Sequence, residues 1–278
     1  MKSIVSIQKI IIAAIIAALP VVASAQGIKF AAKEDIEAAV NAVPCNQDER
    51  LEGVKKLFLA AGAKENEIKI EKYDKDKISN VLVRKQGTTD ETVIIGAHYD
   101  RTDFGCGAVD NWTGVVIMSH IYKAVAPLTT KKSYVFVAFD KEEAGLKGSY
   151  QMAKAMTPEQ IDKTCAMINF DSFGQAAPMA MRTIASPKLL ELARKTGKEG
   201  GLKFVDVEIP GASSDSASFL DKKMAAITLS GLGGNWQDIL HTSADKVAKV
   251  NMESVYIGYR FGLVFTAKVD AAGCKDFK

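Results

Sequence analysis

Thr92-Val93-Ile94-Ile95-Gly96-Ala97-His98-Tyr99-Asp100 decides the reading of this chain. Its first six residues form a short aliphatic run bounded by polar and glycine-containing turns, which predicts a buried strand over Thr92–Ala97. The run ends in a histidine and a carboxylate. The same pattern returns twice downstream. Tyr134–Phe139 ends in Asp140-Lys141-Glu142-Glu143, and Met167–Phe170 ends in Asp171. Helical spacing separates the runs, at Asn111–Ala124 and Leu146–Ala155. Strands alternating with helices predict an α/β fold, with a mostly parallel central sheet covered by helices on both faces.

Working outward, residues 34–43 and 48–61 carry helical apolar spacing. In the second stretch Leu51, Val54, Leu57, Phe58 and Ala61 share one face. Ser186-Pro187 opens a further helix, with Ser186 as N-cap and Pro187 in the first turn. Ala225–Leu229 reads as a strand and Asn251–Val269 as a long final helix. No repeat or linker divides residues 26–278, so a single domain is expected. Over 278 residues, 47% hydrophobic and 25% charged composition is that of a globular protein. A net charge of +3, without a basic stripe interleaved with aromatics, argues against nucleic acid as partner.

The first residues predict a compartment. Lys2 and Lys9 give a positive start, Ile10–Leu19 is apolar, Pro20 breaks the run, and Ala23-Ser24-Ala25 offers small residues at a cleavage site. This is the pattern of a signal peptide over residues 1–25, removed after Ala25. The apolar run is shorter than the roughly 20 residues that span a bilayer. The expected product is periplasmic or secreted, with no membrane segment after signal removal.

In open α/β sheets ligands bind beyond the carboxyl ends of the strands. Three successive strands deliver His98, Glu142, Glu143 and Asp171 to that edge, and Asp110 precedes the next helix within Gly107–Gly114. Singly, each is ordinary: a His after a strand, a solvated Glu pair, an Asp at a turn. Their common position carries the argument. With His241, two histidines and three carboxylates suit zinc. Five ligands exceed one tetrahedral ion. Two ions about 3.5–4 Å apart, sharing a carboxylate, use them all. Asp100, two residues past His98, is placed to take the second ring N–H of His98. His120, inside a helical pattern, reads as structural.

At these residues the sequence resembles the zinc exopeptidases of peptidase family M28. Ala97-His98-Tyr99-Asp100, Gly107–Gly114, Glu142–Ser149, Asn169-Phe170-Asp171 and His241-Thr242-Ser243-Ala244-Asp245 follow that family's motifs in order, over roughly residues 80 to 270. The resemblance implies two Zn2+ ions: His98 and Asp171 on one, Glu143 and His241 on the other, Asp110 bridging. It implies Glu142 as general base, Asp100 as the partner of His98, and a peptide substrate cut at its N-terminus. Ser214-Asp215 before Phe219 is similar to a family loop near the substrate pocket, although Ser216 stands where the family often has His. Asp215 is therefore a candidate pocket residue; Phe104, Trp112 and Trp236 either line the pocket or belong to the core. Alternatives within the resemblance are a single-zinc glutaminyl cyclase, a carboxypeptidase using Arg101 or Arg182 for the terminal carboxylate, and a non-catalytic binding module. Leu240 before His241 argues against the cyclase, where Trp is usual.

Cys45, Cys106, Cys165 and Cys274 allow three pairings. Cys106 lies past the end of the first strand and Cys165 near the start of the third, about a strand length of 17–20 Å apart. A disulfide needs Cα atoms within about 7 Å. A Cys106–Cys165 bond is therefore not expected, while Cys45, Cys274 or no partner stays open for Cys106.

Overall fold

The computed structural model describes residues 27–75 and 77–278, so the expected signal segment lies outside the described residues. Two helices come first, α1 (Lys33–Asn41) and α2 (Gln47–Ala60), followed by β1 (Ile68–Tyr73), β2 (Ile78–Lys85) and β3 (Thr92–His98). Then come α3 (Thr113–Val125), β4 (Ser133–Phe139), α4 (Lys147–Ala155), α5 (Pro158–Lys163) and β5 (Thr164–Phe170). The chain continues through β6 (Met179–Ala185), α6 (Pro187–Glu199), β7 (Val205–Val207), α7 (Ser216–Leu220), β8 (Ala226–Ser230) and α8 (Met252–Ala271). No helix of the described residues is long and apolar enough to cross a membrane.

All eight strands form one sheet in the order β1-β2-β4-β3-β5-β8-β6-β7. The centre, β4-β3-β5-β8, is parallel as the sequence predicts. The margins differ: β1, β2 and β4 run antiparallel to their neighbours in turn, as do β6 and β8, so the sheet is mixed. Side chains alternate across it with period two. Val93, Ile95 and Ala97 enter a core with α1, α2, α3, α6 and α8, whereas Ile94 points to the opposite face with Met152 of α4 and Phe219 of α7. Each such fully buried Val, Ile or Phe side chain contributes about 1.5–3 kcal/mol. Because both faces are covered, the central strands read as unbroken apolar runs.

The ends of the helices have identifiable partners. The Asn46 side chain accepts from Asp48 N at the start of α2, and the Asn251 side chain accepts from Ser254 N at the start of α8. Ser186 occupies the N-cap position of α6 but makes no cap bond; its hydroxyl oxygen accepts Ala226 N instead and ties α6 to β8. At the far end of α8 the buried Lys132 ammonium donates to the carbonyls of Asp270 and Ala272. Gly258 and Gly262 let α8 approach the site: a Cβ there would lie 2.5 Å from the rings of Phe173 and Phe170 respectively.

Cys45 pairs with Cys106 and Cys165 with Cys274. The first bond fastens the segment before α2 to the loop after β3. The second fastens the start of β5 to the turn after α8.

Candidate metal centre

His98 closes β3, Asp171 follows β5, and the turn after β4 carries Glu142 and Glu143, so adjacent parallel strands present them at one sheet edge. Asp110 reaches that edge from the segment before α3. The helix expected from Asn111 begins only at Thr113, because Asp110 (φ −116°, ψ 94°) and Asn111 (φ −136°, ψ 45°) are non-helical. That departure aims the Asp110 carboxylate at both histidines. His98 Nε2 lies 3.1 Å from Asp110 Oδ1 and 3.5 Å from Asp171 Oδ1. His241 Nε2 lies 3.1 Å from Asp110 Oδ2 and 3.1 Å from Glu143 Oε2.

Two three-residue groups result, His98–Asp110–Asp171 and Asp110–Glu143–His241, each with its ligand atoms within 4.8 Å of one another. Asp110 is common to both, one oxygen in each. Their chemistry fits divalent cations. Imidazole nitrogen and carboxylate oxygen are zinc ligands, and five such groups facing one another leave concentrated negative charge to be neutralised. Without a cation, protons take that role. Hydrogen bonds to Asp110 and Glu143 push the His241 imidazole up to about 10. Burial disfavours charge on His98, but Glu142 and the facing carboxylates of Asp100, Asp110 and Asp171 raise it well above the usual imidazole range. Burial would raise Asp110, yet the hydrogen bonds from His241 and His98 hold it well below the usual carboxylate range. Glu143 Oε1 is buried without a hydrogen-bond partner.

Four further residues hold these ligands in place. Asp100 Oδ1 lies 3.4 Å from His98 Nδ1, a nitrogen that is buried without a hydrogen-bond partner. The two Asp100 oxygens accept Glu142 N (3.0 Å) and Glu143 N (3.1 Å), pinning the β4 turn to the end of β3. Asp245 accepts Val109 N (2.7 Å) and Asp110 N (3.1 Å), fixing the shared carboxylate from the loop that carries His241. Asn111 donates to Phe170 O (2.8 Å), and its Oδ1 accepts Gly114 N (3.0 Å) and Ser172 N (3.1 Å), joining the Asp110 segment to the Asp171 turn. Arg50 of α2 is wholly buried and donates to the carbonyls of Tyr99, Pro44, Cys106 and Gly107. Sequence reasoning assigned no role to Asp245, Asn111 or Arg50. The first two lie inside quoted motifs, whereas Arg50 has no sequence signal.

Glu142 faces the same cleft. Burial raises its carboxyl well above the usual range; His98 opposes this, while Asp215, Asp171 and Asp110 add to it. Two basins flank the ligand cluster. One, of about 610 Å³, has Asp110, Glu142, Asp171 and His241 at its base and Met181, Ile209, Leu232, Trp236 and Leu240 along its wall. The other, of about 550 Å³, contains Asp100, Glu143, His241, Arg101 and Phe104. Phe104 is 62% exposed at its rim.

Two candidate pocket residues are not on the cleft wall. Trp112 is buried: its indole donates to Ala39 O (2.9 Å) and lies 5.3 Å from the Arg50 guanidinium. It borders a separate groove between α1 and α2. An indole that size next to an apolar helix face is drawn into the core by the area it hides. Asp215 is also fully buried and lines neither basin; burial pushes its carboxyl up to about 7. His120 is held on its own helix, with Nδ1 donating to Val116 O at 2.8 Å.

Comparison with known proteins follows the same residues. Among curated proteins, the chain is 25% identical to aminopeptidase YwaD of Bacillus subtilis (strain 168) over 165 residues, 56% of this chain and 36% of that protein. This chain thus spans about a third of that relative's length. Among solved structures it is similar to a Legionella pneumophila LapA aminopeptidase, at TM-score 0.73 and 18% identity, covering 93% of this chain and 75% of that one. It is similar to an Acidobacteriales bacterium glutaminyl cyclase at TM-score 0.71 and 17% identity, covering 87% and 93%. At such identity the two structures share the fold. The model of Peptidase family M28 matches residues 80–257, a span that contains His98, Asp110, Glu142, Glu143, Asp171 and His241. The chain belongs to peptidase family M28.

Proposed function

We propose that this chain is a zinc-dependent aminopeptidase that binds two Zn2+ ions and releases the N-terminal residue of a peptide. The observation that carries the reading is the division of Asp110 between two complete ligand groups, one oxygen to each, at the mouth of an apolar basin. His98 and Asp171 would hold one ion, Glu143 and His241 the other, with Asp110 between them. When bound, such ions polarise a carbonyl and lower the pKa of a water from 15.7 to about 7.

The chain's own groups supply the rest. The apolar wall of Met181, Ile209, Leu232 and Leu240 receives the side chain of the N-terminal residue and excludes water from it. Glu142 stands on the same basin beside the ligand cluster, and it is the general base. It accepts a proton as water oxygen bonds to the peptide carbonyl carbon. It returns that proton to the amine nitrogen as the C–N bond breaks. Asp100 faces His98 and holds the Glu142 and Glu143 backbone, so the base and the ligand cluster keep one geometry.

The reading includes export. The pattern of residues 1–25 and the two disulfides both fit an oxidising compartment. Metal analysis combined with hydrolysis of leucyl amides, with and without chelator, tests the proposal. Retained hydrolysis without metal contradicts it. Conversion of N-terminal glutamine to a cyclic product, in place of hydrolysis, assigns the site to the cyclase reading instead.

A further inference from the structure

The two basins meet at His241 and differ in character. The first is walled by aliphatic side chains, and the second carries Arg101, Lys141 and Lys147. Among the described residues none of these three cations forms an ion pair. Four carboxylates, Asp100, Asp103, Asp140 and Glu143, lie beside them, and three of the four are committed to other partners. Asp100 accepts Glu142 N and Glu143 N, Glu143 contacts His241, and Asp140 accepts Ser79 N, which leaves Asp103 exposed at the rim. Arg182, the other arginine that the sequence offered for a carboxylate, is bound to Asp206 at 2.8 Å and is not on this basin.

The backbone that carries the cations is fixed relative to the reacting groups. Lys147 N donates to Lys141 O (3.0 Å), closing the turn that carries Glu142 and Glu143. Both lysines therefore stand at the neck of that turn. Arg101 follows Asp100 directly, and its backbone N–H is fixed by Gln47 Oε1 (3.1 Å). Its Nη1 donates to Thr102 O and Gly105 O, while Nε is buried without a hydrogen-bond partner.

We propose that the second basin is the leaving-group subsite and that Arg101, Lys141 and Lys147 select a carboxylate on the residue that follows the scissile bond. This rests on the aminopeptidase reading. With the N-terminal side chain in the apolar basin and the scissile bond over Asp110, the rest of the substrate leaves past Glu143 and His241 into the second basin, where Arg101, Lys141 and Lys147 stand. The carboxylate is either the side chain of Asp or Glu in second position or the terminal carboxylate of a dipeptide.

Four substrates separate the cases: Leu-Asp-amide, Leu-Ala with a free terminus, Leu-Ala-amide, and Leu-Lys-amide, assayed with the zinc-loaded full chain. A carboxylate partly exposed to solvent is expected to raise kcat/KM about 5- to 20-fold over Leu-Ala-amide, with Leu-Lys-amide below it. The advantage falls as salt rises, because the contacts are screened. Preference for Leu-Asp-amide assigns the side chain as the source, and preference for free Leu-Ala assigns the terminus. In the Lys141→Ala, Lys147→Glu double variant and in Arg101→Gln, the ratio between carboxylate and neutral substrates should fall toward one. Hydrolysis of all four at equal kcat/KM overturns the subsite and leaves the aminopeptidase reading standing. Failure to cleave even Leu-Ala-amide overturns that reading itself. A preserved ratio in both variants overturns the assignment to these residues.

Discussion

Arg50 offers the sharpest test of how the ligand cluster is held. Its guanidinium is 0% exposed and contacts four carbonyls, those of Tyr99, Pro44, Cys106 and Gly107. Tyr99 lies between His98 and Asp100, and Gly107 opens the segment that delivers Asp110. Four hydrogen bonds from a charged donor, at about 1.5–3 kcal/mol each, give a gross attraction of roughly 6–12 kcal/mol. Against this stands the cost of burying the ion, which lowers the Arg50 pKa to about 10, with Asp100, Asp245 and Asp110 opposing that drop. Removing one partner of such a buried polar arrangement costs about 3–5 kcal/mol. Arg50→Met keeps the stem and deletes all four donors, so it is expected to lose that much. Arg50→Lys keeps the charge but not the planar fork and should fall between. Urea unfolding in the presence of chelator keeps metal binding out of the comparison. With m of about 2–3 kcal/mol/M, the midpoint of the Met variant should drop by about 1–2.5 M. A midpoint within 0.3 M of the parent, or Lys and Met variants that behave alike, refutes the reasoning.

Other perturbations address single parts of the account. Glu142→Gln should retain the parent's zinc content by metal analysis while kcat falls at least about 100-fold, since general acid–base catalysis supplies about 10²–10⁴; near-parental turnover removes Glu142 from the mechanism. Gly114→Ala places a Cβ 2.3 Å from both Phe170 O and Asn111 Oδ1, so the joint between Asp110 and Asp171 must shift. A loss of about 1–3 kcal/mol is expected, with weaker zinc retention against a chelator; unchanged zinc affinity counts against the role given to Asn111. Replacing Cys165 and Cys274 together by Ser opens a loop with a sequence separation of 109. The chain-entropy model gives a loss of about 4–5 kcal/mol, checked by denaturant unfolding; a change below 1 kcal/mol contradicts it.

What could be read from the sequence follows from burial. β3, β4 and β5 lie under helices on both sides, so they stand out as apolar runs, and their ends mark the site. β1, Ile-Lys-Ile-Glu-Lys-Tyr, is a half-exposed edge whose charged residues hide it. β6, Met-Ala-Met-Arg-Thr-Ile-Ala, is rich in residues with little strand preference, and β7 has only three residues. The candidate ligands were legible because each closes a recognisable element or motif. Their supports were not. Arg50 looks like any charged residue on a helix and is buried only because the loop after β3 folds over it. The sequence leaves Trp112 open between pocket and core and offers Asp215 for the pocket, because closeness in sequence to Asp110, or to a pocket loop, does not say which way a side chain faces.

The central claim is that five ligands hold two ions and that the assembled site releases N-terminal residues. It is tested most directly by adding zinc to chelator-stripped protein while following release of leucine from Leu-Ala-amide. No release is expected at the start, followed by a rise to a plateau at about two equivalents per chain. A plateau at one equivalent, or full activity in the stripped protein, would contradict it.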